Sequence, residues 1–312
     1  MKLFGIGILF LFAGAAVQTR GQESEFLSQY ESCFETGRGD TIALLSEGRA
    51  QSPAPAWHAM FTNIPGDWLR SGKRIFRSES LPALAGIAIA TGALFVTDHE
   101  TREASDALYH RAPAVRSASD VIIHVGDGKT AIGLAAAFAV YGFAASDNRA
   151  LSTGSGVVEA VLASGIVVQL LKRASGRESP EMASIRRGRW RPFPAWDTYN
   201  HQQPKFYAFP SGHVTTTMAM VTVIAENYRE VTWIRPAGYT MVALVGISLV
   251  NVGWHWYSDF PLAVALGYSF GMIAAHRSDP AGGEEDLTGG KGMEISPNFT
   301  PEGTGVTVTW NF

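Results

Sequence analysis

Six apolar stretches, at approximately 82–97, 130–146, 156–172, 212–226, 237–254 and 260–275, constrain this chain more than any other feature. They are rich in Ala and Gly rather than Leu, and small residues let helices approach closely in water or in lipid. At about fifteen to eighteen residues they are shorter than the about twenty a spanning helix wants, whereas a buried bundle helix is content with fewer. Composition leans toward the membrane: 46% of residues are hydrophobic and 17% charged, below the roughly 25% charged residues of soluble proteins. The mean hydropathy of +0.05 is low for six spans, but a polar leader and tail dilute it. The expectation is an all-α, six-helix bundle integrated in a membrane; a soluble or peripheral bundle is the alternative.

Around that bundle the chain changes character three times. Residues 1–21 read as an export signal: Met1-Lys2 supplies positive charge, Leu3 to Val17 an apolar run, and Thr19-Arg20-Gly21 a small-x-small cleavage pattern. An uncleaved anchor is the alternative. Residues 22–80 form a polar leader and then an amphipathic segment, in which Trp57, Phe61, Trp68 and Phe76 mix with Arg70, Lys73, Arg74 and Arg77. Such a segment suits a membrane interface, the end of the bundle or an ordinary surface helix. Residues 81–277 hold the helical domain. Residues 278–312 are a Gly- and acid-rich linker followed by alternating positions from Gly305 to Phe312, which predict a strand, with Met293 to Phe299 as its hairpin partner. A chain ending in Phe after such a strand looks like an outer-membrane barrel signal, but one or two strands cannot close a barrel.

Two short elements carry the chemistry. Pro210-Ser211-Gly212-His213 precedes an apolar helix, which puts Ser211 at its N-cap and aims the first amides outward, an arrangement that binds phosphate oxygens. Gly212 removes the side chain that would obstruct that approach, and His213 stands beside the bound anion as a proton donor. The apolar content of 237–266 predicts one helix, on which His255 and Asp259 lie four apart. The carboxylate then holds one imidazole nitrogen and leaves the other as a nucleophile. A third element, Leu171 to Pro180, ends another apolar helix with Lys172, where a cation is favoured and can reach a phosphate.

In order and separation these elements resemble the type 2 phosphatidic acid phosphatase (PAP2) family, which also contains bacterial acid phosphatases and vanadium haloperoxidases. The family pattern runs KxxxxxxRP, PSGH, SRxxxxxHxxxD. Lys172 and Pro180 match the first motif, Pro210 to His213 the second, and Ser248, His255 and Asp259 the third; the likeness covers roughly residues 80–275. It implies a phosphatase in which His255 is the nucleophile, Asp259 orients it, His213 is acid then base, and Lys172, Ser211 and Gly212 hold the phosphate. Two departures stand out. Ser179 and Leu249 occupy the positions of the motif arginines, the residues that clamp phosphoryl oxygens. Arg177, where many relatives carry an additional arginine, and the loop Arg186 to Arg191 are the candidate substitutes.

The resemblance implies an exported phosphatase in a bacterial cell envelope, in the inner membrane with its site facing the periplasm; a periplasmic or outer-membrane-associated protein is the alternative. The expected substrate is a phosphate ester, preferably of a lipid, cleaved without metal or cofactor. Two further readings are a degenerate member that binds phosphate or lipid without turnover and, least supported, a vanadate-dependent haloperoxidase. The net charge of -3, without a basic domain, gives no support for nucleic-acid binding, and no obligate protein partner is inferred. Cys33 is the single cysteine, so no intramolecular disulfide forms. His58, His99, His110, His124, His201 and His276 lack metal-ligand spacing and are assigned no role.

Overall fold

The computed structural model describes residues 54–278 and, beyond them, the backbone of two strands. The export signal, most of the leader with Cys33, and the acidic linker lie outside the described residues. The helices used below are α1 (Ile64–Ile75), α2 (Leu81–Arg111), α3 (Pro113–Ile122), α4 (Gly128–Ala145), α5 (Asn148–Ser175), α6 (Gly212–Asn227), α7 (Ile234–Asn251) and α8 (Phe260–Ala275). Each of the six apolar stretches falls on a helix: α2, α4, α5, α6, α7 and α8. The strands β1 (Met293–Thr300) and β2 (Gly303–Trp310) pair antiparallel, with Met293 opposite Trp310 and Thr300 opposite Gly303.

Local chemistry explains where the helices begin and stop. Asp147 caps α5 by accepting from the amides of Arg149 and Ala150, and Gly176 closes it in the left-handed region at φ 53°. A Cβ at Gly176 would lie 1.9 Å from the Arg191 carbonyl oxygen, so this position admits glycine alone. The expected single helix over 237–266 is the main correction. Helix α7 ends at Asn251, the chain turns through Gly253 at φ 83°, and α8 starts anew at Phe260 with a proline in its first turn. Pro261 lacks the amide a continuous helix needs and would clash with the preceding turn, while Gly253 supplies the reversal.

Helix α6 is the axis of the bundle and packs against α5, α7 and α8. One apolar cluster joins Ala131 and Ala135 of α4, Val157 and Ala160 of α5, and Ala219 and Val223 of α6. A second joins Val214 and Met218 of α6 to Val245 and Leu249 of α7 and Ala263 of α8. The α6–α8 crossing is close because Gly267 and Gly271, one turn apart, face α6. A Cβ on Gly267 would lie 2.5 Å from the Thr215 carbonyl oxygen, and one on Gly271 would lie 2.6 Å from the Thr222 Cβ. Spacing of small residues four apart is how helices pack backbone to backbone when apolar area alone does not drive them together.

The amphipathic segment packs along the flank of the bundle. Ile64 of α1 is buried with Ala163, Val168, Leu266 and Phe270, and the Trp68 indole donates to the Ala163 carbonyl at 3.0 Å. A polar clasp fixes it there. Arg277 donates to Glu159 at 2.8 Å and also pairs with Asp67, while the Asn63 amide donates to the other Glu159 oxygen at 2.8 Å. Among the described residues, four helical spans are long and apolar enough to cross a membrane: Ser78–Arg111, Gly128–Ala145, Asn148–Ser175 and Tyr257–Ala275. Their outer faces carry exposed Leu81, Ile89 and Val96 on α2 and Ile132, Val140 and Phe143 on α4. Apolar side chains exposed along helix faces in this way suit contact with lipid or with a partner.

If the glycine crossing sets the helix spacing, Gly267→Val forces α8 away from α6 and costs about 1–3 kcal/mol. Thermal unfolding in detergent is expected to show a lowered midpoint, while Gly165→Ala, whose added Cβ meets nothing within 4 Å, leaves it unchanged or raised.

Candidate active site

The motif residues converge at one end of the bundle, where α5 finishes, α6 begins, α7 finishes and α8 begins. Lys172 is buried in the last turn of α5; its ammonium donates to the Tyr207 carbonyl at 2.7 Å and lies 3.4 Å from the centre of the Tyr207 ring. A Cβ on Gly212 would sit 3.9 Å from that Nζ, so the cation lies beside the α6 N-terminus. Ser211 caps α6, its Oγ accepting from the Val214 amide at 3.4 Å, and its own amide donates to the Asp259 carbonyl at 3.2 Å. That last bond ties the second motif to the third.

His255 lies in the turn between α7 and α8, with Asp259 in the 3-10 turn that opens α8. Their sequence spacing still brings them together, because the turn folds back: Nδ1 of His255 is 3.3 Å from Asp259 Oδ2, which also accepts from the Trp256 amide at 2.8 Å. Burial lowers the proton affinity of His255 and the charge of Lys172 adds to this, while the Asp259 hydrogen bond opposes it. The ring is thereby held toward the neutral form, with a lone pair available for attack.

Arg177 serves a different purpose from the one expected. Its guanidinium, 0% exposed, donates to Asp259 Oδ1 at 2.5 Å, Ser258 Oγ at 2.7 Å and Asp98 Oδ2 at 2.7 Å. Phe95, Trp190 and Trp256 box it in, with ring centres 4.9–5.4 Å from Cζ. It stands behind Asp259, with its terminal nitrogens engaged by carboxylates rather than facing a phosphate. The basic loop is also engaged elsewhere: Arg191 pairs with Glu178 at 3.0 Å, Arg187 donates to the Val96 carbonyl at 2.6 Å, and Arg186 lies 3.9 Å from Glu100. At the two positions that depart from the motif, Leu249 is packed in the apolar core and the Ser179 hydroxyl is buried with no hydrogen-bond partner among the described residues.

Sequence reasoning missed three residues. Asp98 on α2 accepts from the amide and hydroxyl of Ser258 as well as from Arg177. Asp127, just before α4, meets His213 Nε2 at 3.1 Å through one oxygen and His124 Nδ1 at 3.0 Å through the other. The Trp254 ring lies tilted against that of His213, with ring centres 5.7 Å apart. Asp127 carried one local signal, that of an acidic cap before an apolar stretch, which says nothing of His213. Burial, reinforced by the charge of His255, lowers His213 to about 4, with Lys172 pushing the same way and Asp127 opposing. Burial works against the Asp127 charge, but the His124 hydrogen bond and the His213 charge outweigh it and hold the carboxyl below its usual range.

Comparison with known proteins places this arrangement in context. Residues 154–281 match the PAP2 superfamily, a stretch that contains Lys172 and the second and third motifs but neither Asp98 nor Asp127. Over 73 residues the chain is 34% identical to the lipid A 1-phosphatase of Porphyromonas gingivalis, a match covering 23% of this chain and 16% of that protein. A transmembrane PAP2 type phosphatidylglycerolphosphate phosphatase from Bacillus subtilis superposes with a TM-score of 0.42 at 16% identity, covering 70% of this chain and 94% of that one.

The buried cluster yields an energetic expectation. Arg177→Met leaves Asp98 and Asp259 without their cation and costs about 3–5 kcal/mol in unfolding free energy. Adding Asp98→Asn to that variant recovers part of the loss, a non-additivity that a double-mutant cycle by denaturant unfolding measures.

Proposed function

We propose that this chain is an exported phosphatase that hydrolyses a phosphomonoester or diphosphate of a lipid through a phosphohistidine intermediate. The observation that carries the reading is the meeting, at one bundle end, of the His255–Asp259 pair with Lys172 and the Ser211–Gly212 helix N-terminus. Phosphate oxygens sit on the α6 amides and the Lys172 ammonium. Neutral His255 attacks phosphorus in line through the nitrogen that Asp259 does not hold; the bond to the leaving oxygen breaks, and His213 supplies that oxygen with a proton. Water then attacks the phosphohistidine, His213 takes its proton, and inorganic phosphate departs with His255 restored. The long apolar helices and their exposed faces support a lipid substrate, presented where a bundle end meets the headgroups. Insertion in the inner membrane of a bacterial envelope, with the site toward the periplasm, is part of the same reading.

One observation favours a second reading, phosphate or lipid binding without turnover. Arg177, Arg186, Arg187 and Arg191 all engage groups other than His213 and His255, so none of these four supplies the charge stabilisation that phosphoryl transfer draws from guanidinium groups.

Purified protein in detergent, with chelator present, is expected to release phosphate from phosphatidic acid and from an aryl phosphate, and His255→Ala to abolish both. Equal background from the two proteins would move binding without turnover to the front. Because the nucleophile must be deprotonated and its proton affinity is lowered, the acid limb of kcat/KM is expected below pH 6.5, the ordinary histidine value. Because the acid His213 must be protonated and is lowered to about 4, the rate is expected to fall as pH rises toward neutrality. A pH–rate profile measures both.

A further inference from the structure

The geometry points to Asp127 as the residue that orients His213 and fixes its tautomer, with His124 holding the carboxylate in place from its other oxygen. This role rests on the phosphatase reading for its catalytic meaning, while its structural content stands on distances. His213 Nε2 and Asp127 Oδ1 are 3.1 Å apart, and Asp127 Oδ2 and His124 Nδ1 are 3.0 Å apart, so both carboxylate oxygens are committed. The backbone carrying Asp127 is pressed onto α6: a Cβ on Gly126 would lie 2.7 Å from the His213 Cβ, a contact only glycine permits. The same turn is locked to α4, since the Asp127 carbonyl accepts from the amides of Thr130 and Ala131 and the Thr130 hydroxyl donates to the His124 carbonyl at 2.5 Å.

The chemistry follows from which nitrogen is used. A carboxylate on Nε2 keeps that nitrogen protonated and leaves Nδ1 as the atom that exchanges a proton with the reaction, the division of labour that carboxylate-bound histidines show generally. In the first half-reaction Nδ1–H of the imidazolium transfers its proton to the leaving oxygen as the phosphorus–oxygen bond breaks and the His255–phosphorus bond forms. In the second, Nδ1 recovers a proton from the attacking water as the phosphorus–nitrogen bond breaks. Asp127 remains ionised and Nε2 keeps its proton throughout. The charged and titratable groups facing His213 are His255 from the α7–α8 turn, Lys172 from α5, and Asp127 from the turn before α4, with the Trp254 ring covering another side. Burial, His255 and Lys172 all favour the neutral ring, whereas Asp127 favours the cation that an acid must be.

The test uses the full chain in detergent with nitrogen-15-labelled histidine, the His213 signals being assigned by their loss in His213→Gln. Asp127→Asn is expected to lower the proton affinity of His213 about tenfold and to replace a single Nε2–H tautomer by a mixture. Unchanged titration and tautomer in Asp127→Asn would overturn the proposal. Activity supplies a second arm. Asp127→Asn is expected to slow an alkyl phosphate, a poor leaving group, about tenfold more than a dinitrophenyl phosphate, which needs no acid, with Asp127→Glu recovering part of the difference. Equal loss on both substrates would assign Asp127 a structural role only. Wild type inactive on both substrates would sink the phosphatase reading, and the resonance arm would still decide the fate of Asp127.

Discussion

The Arg177 guanidinium is the group on which the catalytic end depends. It is fully buried, and burial of an unpaired charge is prohibitive, so its surroundings must supply negative charge at fixed positions. Asp98 arrives from α2, Asp259 from the head of α8, and the Ser258 hydroxyl accepts from Arg177 while donating to Asp98. Because Asp259 Oδ1 is claimed by this cation, Oδ2 alone faces the Trp256 amide and His255. The orientation of His255, the proposed nucleophile, is therefore inherited from a buried ion cluster set behind Asp259. The three aromatic faces around Arg177 exclude water from the cluster and complete the boundary between core and site.

Much of this was legible in the sequence, and what was legible was local. The six apolar stretches mark helices, Ser211 is an N-cap, and His255 and Asp259 do pair. Over 237–266 apolar content points to one helix, whereas Gly253 and Pro261, each a helix breaker, divide it into two. The amphipathic residues of 56–80 were recognisable, but their seat on the flank of α5 and α8 was not, because Asp67 and Arg277 are far apart in the chain.

The illegible part has one physical cause. Asp98 and Ser258 are separated by 160 positions, and Asp127 and His213 by 86. Only the packing of α2 and α4 against the motif helices makes these carboxylates partners of the site, and no periodicity in either helix announces it. The arginines were misjudged for the same reason. Arg177 could be read as a phosphate ligand until Asp98 appeared beside it, and the basic loop could be read as free until Glu178 and Val96 took up its donors.

The confinement of the reacting groups to one bundle end has a topological consequence. Lys172 is thirteen residues beyond the buried Glu159 on the same helix, about 20 Å along its axis at 1.5 Å per residue. In a bilayer that offset separates a reaction at headgroup depth from a charge cluster near the hydrocarbon interior. On the proposed reading, a lipid headgroup in the opposite leaflet is then out of reach, and such a phosphatase would act on one leaflet only. Its rate in a closed vesicle is bounded by how much substrate has crossed to that side.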